Sequence, residues 1–166
     1  LKHLIVKGVK FSVPSLKVEL VDQELLDLIY KGGQKSLTIA PECGESLRDS
    51  INKPVKDSMF FSFAKMCAKF DAIKLYFMVG VPGQDEKDLD EIVTFVEKFN
   101  FKKVYVSVNP FVAKPHTEFV DHKFDKKEVK KQISYLRKRL KGRVKFANAD
   151  TSYKEWKIAH ASSSST

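Results

Sequence analysis

Apolar residues follow two different spacings along this chain. The segments 36–40, 73–79 and 103–109 are short runs of β-branched, aromatic and other apolar residues, which favour buried strands. Between these runs, apolar residues recur every three or four positions, as expected for amphipathic helices. The alternation predicts repeated βα units around a parallel sheet, and therefore an α/β fold.

Capping residues and chain breakers limit the predicted helices. Asp22, Asp85 and Asp125 each precede an apolar helical stripe, as N-caps do. The other predicted elements are a short strand at Lys10–Pro14, a turn through Leu47–Ile51, a helix from Asp57 or Ser58, a strand at Val144–Ala147 and a short helix at Ser152–Ile158.

The number of βα units limits the architecture. A closed eight-stranded barrel needs about 250 residues, and this chain has 166. We therefore expect an arc or an open sheet, in which at least one edge lacks its natural neighbour. Such an edge near Phe11 is a candidate surface for homodimer formation.

Charge is concentrated in one segment. The formal net charge is +9, and the segment His122–Lys145 accounts for all of it, with eleven Lys and Arg against Asp125 and Glu128. A basic stripe of this density is compatible with RNA binding, although it is more typical of a solvated helix face. A non-catalytic RNA-binding module that uses the helix 126–141 is therefore the alternative function.

The two cysteines, Cys43 and Cys67, are too few for a disulfide framework or for a thiolate metal site without other ligands. We therefore predict no metal site in this chain and a cytoplasmic, reducing location. Cys67 continues the apolar stripe of Phe60 and Phe63, which predicts a small core residue. No apolar run approaches the ~20 residues of a membrane span, so no membrane partner is expected.

Polar residues follow each predicted strand at its carboxyl end. They are Ser15 and Lys17, then Glu42, then Gly80–Gln84, and finally Asn109–Thr117. Because the carboxyl ends of parallel strands lie at one rim of the sheet, we expect these groups to converge on one pocket.

Several of these residues have two interpretations. The Glu42 carboxylate could accept two ribose hydroxyls, or it could accept the backbone N–H groups that follow it, including that of Gly44. Ser15 and Lys17 could grip a carboxylate, or cap a turn and remain solvated. His116, in a loop stiffened by two prolines, is more typical of a structural histidine than of a catalytic one.

Four motifs in order resemble a known family. They are Leu37-Thr-Ile-Ala-Pro-Glu-Cys-Gly44, then Leu47-Arg48 with Ile51-Asn-Lys53, then Lys74-Leu-Tyr-Phe-Met-Val-Gly-Val-Pro-Gly83, and lastly Val106-Ser-Val-Asn-Pro-Phe-Val112 with Lys114-Pro-His-Thr117. Together they resemble the later half of the core domain of radical S-adenosylmethionine (radical SAM) enzymes. The closest branch is the Fe–S oxidoreductase group that is often fused to a cobalamin-binding domain.

The resemblance implies a fragment of a TIM-like (β/α)6 partial barrel. Residues 1–150 would supply strands 3 to 6 and a basic helix, and residues 151–166 would be a C-terminal extension with a polar tail. The implied cofactor-binding residues are Glu42 at the ribose, the backbone of Phe77, Met78, Val79 and Gly80 at the adenine, Ser15 and Lys17 at the methionine carboxylate, and Asn109. Lys17 stands where relatives often carry Arg, and Gln84 replaces their usual Glu.

The CxxxCxxC motif that defines the family, and that holds three irons of a [4Fe–4S] cluster, is missing from this chain. Cys43 and Cys67 cannot replace it, because such a cluster needs at least three closely spaced thiolates. We therefore expect a C-terminal fragment of an oxidoreductase-type enzyme that is inactive alone and has no cofactor bound. Its partner would be the missing N-terminal part of the same polypeptide. S-adenosylmethionine, the [4Fe–4S] cluster and cobalamin are the cofactors implied for the parent enzyme; the catalytic residues stay unassigned.

Overall fold

The computed structural model describes residues 1–161. This part of the chain contains six α-helices and four strands. They are α1 (Lys2–Val6), α2 (Gln23–Lys31), β1 (Ser36–Glu42), α3 (Asp57–Met66), β2 (Ala72–Val79), α4 (Glu86–Lys98), β3 (Val104–Pro110), α5 (Lys126–Arg139), β4 (Arg143–Phe146) and α6 (Ala149–Ala161). Most of the predicted polar tail, residues 162–166, lies outside the described residues.

The four strands form one parallel sheet in the order β1-β2-β3-β4. Each strand lies beside the next one along the chain, so the sheet is built from successive βα steps. Within the described residues β1 and β4 do not pair with each other, and the sheet is open. The predicted α/β class and parallel βα arrangement are confirmed, and the arrangement is compatible with an arc of a TIM-like barrel.

The helices bury one face of this sheet. In β2, every second residue from Ile73 to Val79 is buried, whereas the residues between them are partly exposed. On the buried face the ring of Phe77 meets that of Phe95 of α4 edge to face, with centroids 5.6 Å apart. The opposite surface, here called the open face, carries Thr38, Ala40, Glu42, Lys74, Tyr76, Met78, Tyr105, Ser107, Asn109, Arg143 and Lys145.

The predicted caps start the helices. The side chain of Asp22 accepts a hydrogen bond from the Leu25 amide, and the side chain of Asp85 accepts one from the Asp88 amide. Asp125 accepts from two amides in the first turn of α5. Each cap satisfies N–H groups that have no partner within the helix, which explains why these boundaries could be predicted from the sequence.

The predicted strand at Lys10–Pro14 is wrong. Residues 10–14 form no strand, and the nearest pairing with the sheet is a single parallel bridge between Leu16 and Ile39. The amide of Val13 donates to the side chain of Gln34 (2.7 Å) instead of to a strand backbone. Pro14 has no N–H to donate, so a regular ladder cannot pass through it.

The C-terminal elements are close to their predictions. The predicted strand Val144–Ala147 is found one residue earlier, as β4. Helix α6 is longer than predicted, because the side chain of Asn148 accepts from the Asp150 amide (2.8 Å) and caps it. Within residues 1–161, no helix is both long and apolar enough to span a membrane.

Candidate functional site

A pocket of about 540 Å³ lies on the open face at the carboxyl ends of β1, β2 and β3. Its volume is in the range of small-molecule sites. The lining residues come from the segment before β1 and from three strands: Pro14, Ser15, Thr38, Ala40, Glu42, Tyr76, Phe77, Met78, Asn109 and Pro110.

The pocket brings together five of the eight predicted cofactor-binding residues, namely Ser15, Glu42, Phe77, Met78 and Asn109. Phe77 contributes backbone rather than side chain, because its ring is buried on the helical face. Residues far apart in sequence therefore meet where parallel strands end, as expected for an α/β fold.

The other three predicted residues lie outside this lining. Lys17 is exposed and precedes the 3-10 turn Val18–Leu20, and Val79 is buried on the helical face. Gly80 has its backbone groups engaged elsewhere: its N–H donates to Gln132 Oε1 (2.7 Å), and its carbonyl accepts from His122 Nε2 (3.1 Å). Because both partners lie after β3 in the chain, the Gly80 peptide is tied to α5 and its preceding loop.

Glu42 has an unusual backbone conformation. Its φ is +70°, a left-handed value that is uncommon for residues other than glycine, and the β1–β2 register shifts between Ile39 and Glu42. The carboxylate Oε1 lies 2.8 Å from Lys53 Nζ. Such backbone strain is concentrated at functional sites, where the surrounding contacts maintain it.

Asp88, not Glu42, binds the backbone of the following turn. Asp88 is 3% exposed, and its Oδ1 accepts the Gly44 N–H (2.8 Å) while Oδ2 accepts from Gln84 Nε2 (2.7 Å). Burial raises the pKa of Asp88, and the hydrogen bonds from Gln84 and Gly44 oppose that shift. The alternative interpretation of Glu42 as the turn-binding carboxylate is therefore wrong.

The sequence contained no signal for this role of Asp88. An acidic residue three positions after the N-cap Asp85 is explained by helix capping alone. The contact matters to the site, because it joins the loop after β1 to the loop after β2.

Arg48 is a second residue whose role only the structure reveals. Its side chain is 1% exposed, and its Nε donates to the carbonyl of Pro41 (2.9 Å), the residue before Glu42. Its Nη1 donates to the Val55 carbonyl and lies 2.7 Å from Asp57 Oδ1. A buried guanidinium with several partners is costly to disturb, so Arg48 holds the end of β1 in place.

The proline-stiffened loop contributes only its first residues to the pocket. Asn109 and Pro110 line it, whereas Lys114 pairs with Glu155 of α6. His116 is exposed and has a left-handed φ of +63°. The described geometry therefore places Lys114 and His116 outside the candidate site.

Neither cysteine is suited to bind a metal cluster. Cys67 is fully buried, which confirms its prediction as a core residue, and Cys43 is fully buried as well. Burial raises the pKa of each thiol to about 12. The two lie at opposite ends of the sheet, since Cys43 follows β1 and Cys67 precedes β2.

The basic helix α5 has acidic neighbours for part of its charge. Lys126 and Lys130 both pair with Asp150 of α6, and they hold the pKa of that carboxyl below its usual range. Arg139 pairs with Asp90 of α4 (2.9 Å). The structure thus uses several of these cations to join α5 to neighbouring helices.

No family model matches the chain. Over 149 residues it is 37% identical to an uncharacterized protein of Methanocaldococcus jannaschii. The alignment covers 85% of this chain and 33% of that protein. The chain therefore spans about a third of the length of the curated relative it matches.

Proposed function

We propose that this chain is part of a radical SAM protein and forms one wall of its S-adenosylmethionine and substrate pocket. The observation that carries the proposal is the convergence on one pocket of Glu42, Met78 and Asn109, at the carboxyl ends of adjacent parallel strands, with Ser15 of the preceding segment. The motif resemblance assigns these same four residues to a single cofactor, independently of where they lie in space.

The chemistry of the lining suits S-adenosylmethionine. The Glu42 carboxylate can accept from two ribose hydroxyls, and Asn109 offers both a donor and an acceptor. Met78 and the Phe77 backbone offer an apolar, flat surface to a base, and the Ser15 hydroxyl can donate to a carboxylate. In the complete enzyme, S-adenosylmethionine would supply the radical chemistry of the family, while these residues bind and orient it.

The ion pair with Lys53 does not prevent Glu42 from binding hydroxyls. A carboxylate offers about four lone-pair positions, and one of them is used by Lys53 Nζ at 2.8 Å. The side chains of Glu42 and Lys53 are 22% and 27% exposed, so the pair is within reach of the pocket. Lys53 fixes the orientation of the carboxylate and leaves its other oxygen for a ligand.

The residues present do not fit a [4Fe–4S] cluster. Two fully buried cysteines at opposite ends of the sheet cannot supply three clustered thiolates. Among residues 1–161, no group of three or more His, Cys, Asp or Glu side chains is arranged to hold a metal ion. In our proposal, the cluster ligands belong to another part of the polypeptide, and the greater length of the archaeal relative supports this division.

The test uses the full-length polypeptide, reconstituted with iron and sulfide under anaerobic conditions. We expect reduced protein to form 5′-deoxyadenosine from S-adenosylmethionine. Glu42→Gln should weaken S-adenosylmethionine binding about tenfold, the usual cost of a charge-assisted hydrogen bond. The matched control is Glu97→Gln, an exposed residue of α4 that should leave the affinity unchanged.

Two results would contradict the proposal. One is the absence of a CxxxCxxC motif upstream of Leu1 in the parent polypeptide. The other is equal S-adenosylmethionine affinity for Glu42→Gln, Glu97→Gln and the unchanged protein.

RNA binding through the helix 126–141 is the second candidate. The concentrated positive charge favours it, whereas the pairs to Asp150 and Asp90 reduce the charge available to phosphates. Changing Lys130, Lys131, Arg137 and Lys138 together to Gln should abolish a salt-dependent association with RNA. If the unchanged protein binds no RNA at low salt, this candidate is eliminated.

A further inference from the structure

A group of basic and phenolic side chains occupies the open face next to the candidate pocket. It consists of Lys74 and Tyr76 of β2, Tyr105 of β3, and Arg143 and Lys145 of β4, and is here called the cation–tyrosine cluster. In the sheet register Lys74 lies beside Tyr105, and Tyr105 lies beside Arg143. Tyr76 and Lys145 lie in the next row, two strands apart, on either side of Ser107 of β3.

The cluster has more hydrogen-bond donors than acceptors. Lys74 Nζ donates to the phenolic oxygen of Tyr76 (2.8 Å), and Arg143 Nη1 donates to that of Tyr105 (3.3 Å). Ammonium and guanidinium groups only donate, so each phenolic O–H remains able to donate to a further group. An oxyanion, which only accepts, would complement this arrangement.

The cations of the cluster have no ion-pair partner in the described part of the chain. The ion pairs found among residues 1–161 include none of Lys74, Arg143 and Lys145. Glu42 is the acidic residue of the open face, and its Oε1 is engaged by Lys53. In contrast, Lys126, Lys130 and Arg139 of α5 each form an ion pair with an aspartate of a neighbouring helix.

The cluster continues the candidate pocket. Tyr76 belongs to both, and Thr38, which lies beside Lys74 in the register, also lines the pocket. Lys74 and Arg143 are two strands apart, which corresponds to about 10 Å. This distance separates their backbones, whereas their long side chains extend to the phenolic oxygens of Tyr76 and Tyr105.

We propose that the cation–tyrosine cluster binds the oxyanion groups, phosphate or carboxylate, of a small-molecule substrate whose remaining part lies in the pocket near Glu42. A small molecule is favoured over a nucleic acid because the cluster adjoins a pocket of about 540 Å³. The inference deepens the proposed function, on which it rests for the identification of the pocket as a substrate site.

The test is a calorimetric titration of the full-length polypeptide with inorganic pyrophosphate and, separately, with succinate, in the absence of S-adenosylmethionine. We expect at least one of the two to bind. Lys74→Gln and Arg143→Gln should each weaken that binding about tenfold, because each removes a charged donor. Tyr76→Phe, which keeps the ring and removes the hydroxyl, should weaken anion binding several-fold. This variant provides the test if a charge variant does not fold.

The matched control is the double variant Lys65→Gln and Lys98→Gln, which removes two exposed cations from α3 and α4. It should bind either anion as the unchanged chain does. Stronger binding of pyrophosphate would assign the site to a phosphorylated substrate, and stronger binding of succinate to a dicarboxylate.

Three outcomes would overturn the inference: no binding of either anion, an equal loss in the control, or displacement of the bound anion by an RNA oligonucleotide or a polyglutamate peptide. Because the titration contains no S-adenosylmethionine, it can fail or succeed separately from the test of the proposed function.

Discussion

Replacement of Asp88 tests how the site loops are held together. This carboxylate joins the Gly44 amide, after β1, to the Gln84 side chain, after β2, with distances of 2.8 and 2.7 Å. Asp88→Ala removes both hydrogen bonds and leaves the Gly44 N–H buried without its acceptor. Asp88→Asn keeps an oxygen for Gly44 and removes the buried charge.

The expected magnitude follows from these contacts. A buried amide that loses its acceptor lowers the free energy of unfolding by about 1–3 kcal/mol. Removal of the Asp88 charge, whose burial is unfavourable, offsets part of this loss. We therefore expect Asp88→Ala to lower the free energy of unfolding by about 2 kcal/mol. For a chain of this length that corresponds to a fall in Tm of about 4–8 °C. Asp88→Asn should lose less than about 1 kcal/mol.

The unchanged protein and Asp88→Asn should also differ in how their stability depends on pH. Because the pKa of Asp88 is raised in the folded state, the folded chain binds a proton more readily than the unfolded chain. The contribution of Asp88 to stability is therefore largest below its unfolded pKa and falls as the pH rises through its folded pKa. Asp88→Asn has no such titration, so the unchanged protein should lose stability relative to this variant as the pH rises from acidic toward neutral.

Urea unfolding at a series of pH values, followed by circular dichroism, measures this difference. Asp49→Asn, at an exposed position of the turn Glu45–Ile51, is the matched control. The reasoning would be refuted if the stability of the unchanged protein relative to Asp88→Asn stayed constant or increased as the pH rises. It would also be refuted if Asp88→Ala were as stable as the control.

Three further predictions concern the fold around the site. Gly80→Ala should lower the free energy of unfolding by about 1–3 kcal/mol, because φ is +74° and the new Cβ would lie 2.7 Å from Val129 Cγ2. In urea unfolding, the same substitution should cost less in a Val129→Ala background than in the unchanged protein, and an equal cost in both would argue against the steric cause. Phe95→Ala should lower the free energy of unfolding by about 3–5 kcal/mol, since this ring is 1% exposed and contacts four other phenylalanine rings. An unchanged Tm in thermal denaturation would show that Phe95 does not stabilise the core. Cys43 and Cys67 should react slowly with a thiol reagent at neutral pH in the folded protein and rapidly in urea, because burial raises both pKa values to about 12; rapid labelling without urea would contradict their burial.

Much of the fold could be predicted from the sequence because it depends on local patterns. The caps Asp22, Asp85 and Asp125 act on amides within three residues of themselves. Cys67 could be assigned to the core because helical spacing places it on the same face as buried phenylalanines. The strand at Lys10–Pro14 was predicted wrongly because local composition does not reveal whether a neighbouring backbone is available to pair with it.

The candidate site was predictable to the extent that parallel strands end at one rim. This rule was sufficient to place Glu42 and Asn109 in one pocket, whereas Ser15 reaches the same pocket from a segment that is not a strand. It could not foresee that the Gly80 peptide would be bound by His122 and Gln132, because β2 and α5 have no local relation in the chain.

From residue 22 onward, the sequence by itself determined the order of helices and strands, the parallel arrangement of the strands and the set of residues at the strand ends, since these follow from periodicity and from chain order. Only the tertiary structure decided which polar groups have partners. The bond from the Gly44 amide to Asp88 spans 44 residues, and the bond from the Gly80 amide to Gln132 spans 52. Each of these contacts depends on how a loop packs against a helix that is distant in sequence, and no local pattern in the sequence encodes that packing. The same holds for Lys74, Arg143 and Lys145, whose lack of an ion pair within the described residues becomes visible only when neighbouring strands are placed side by side.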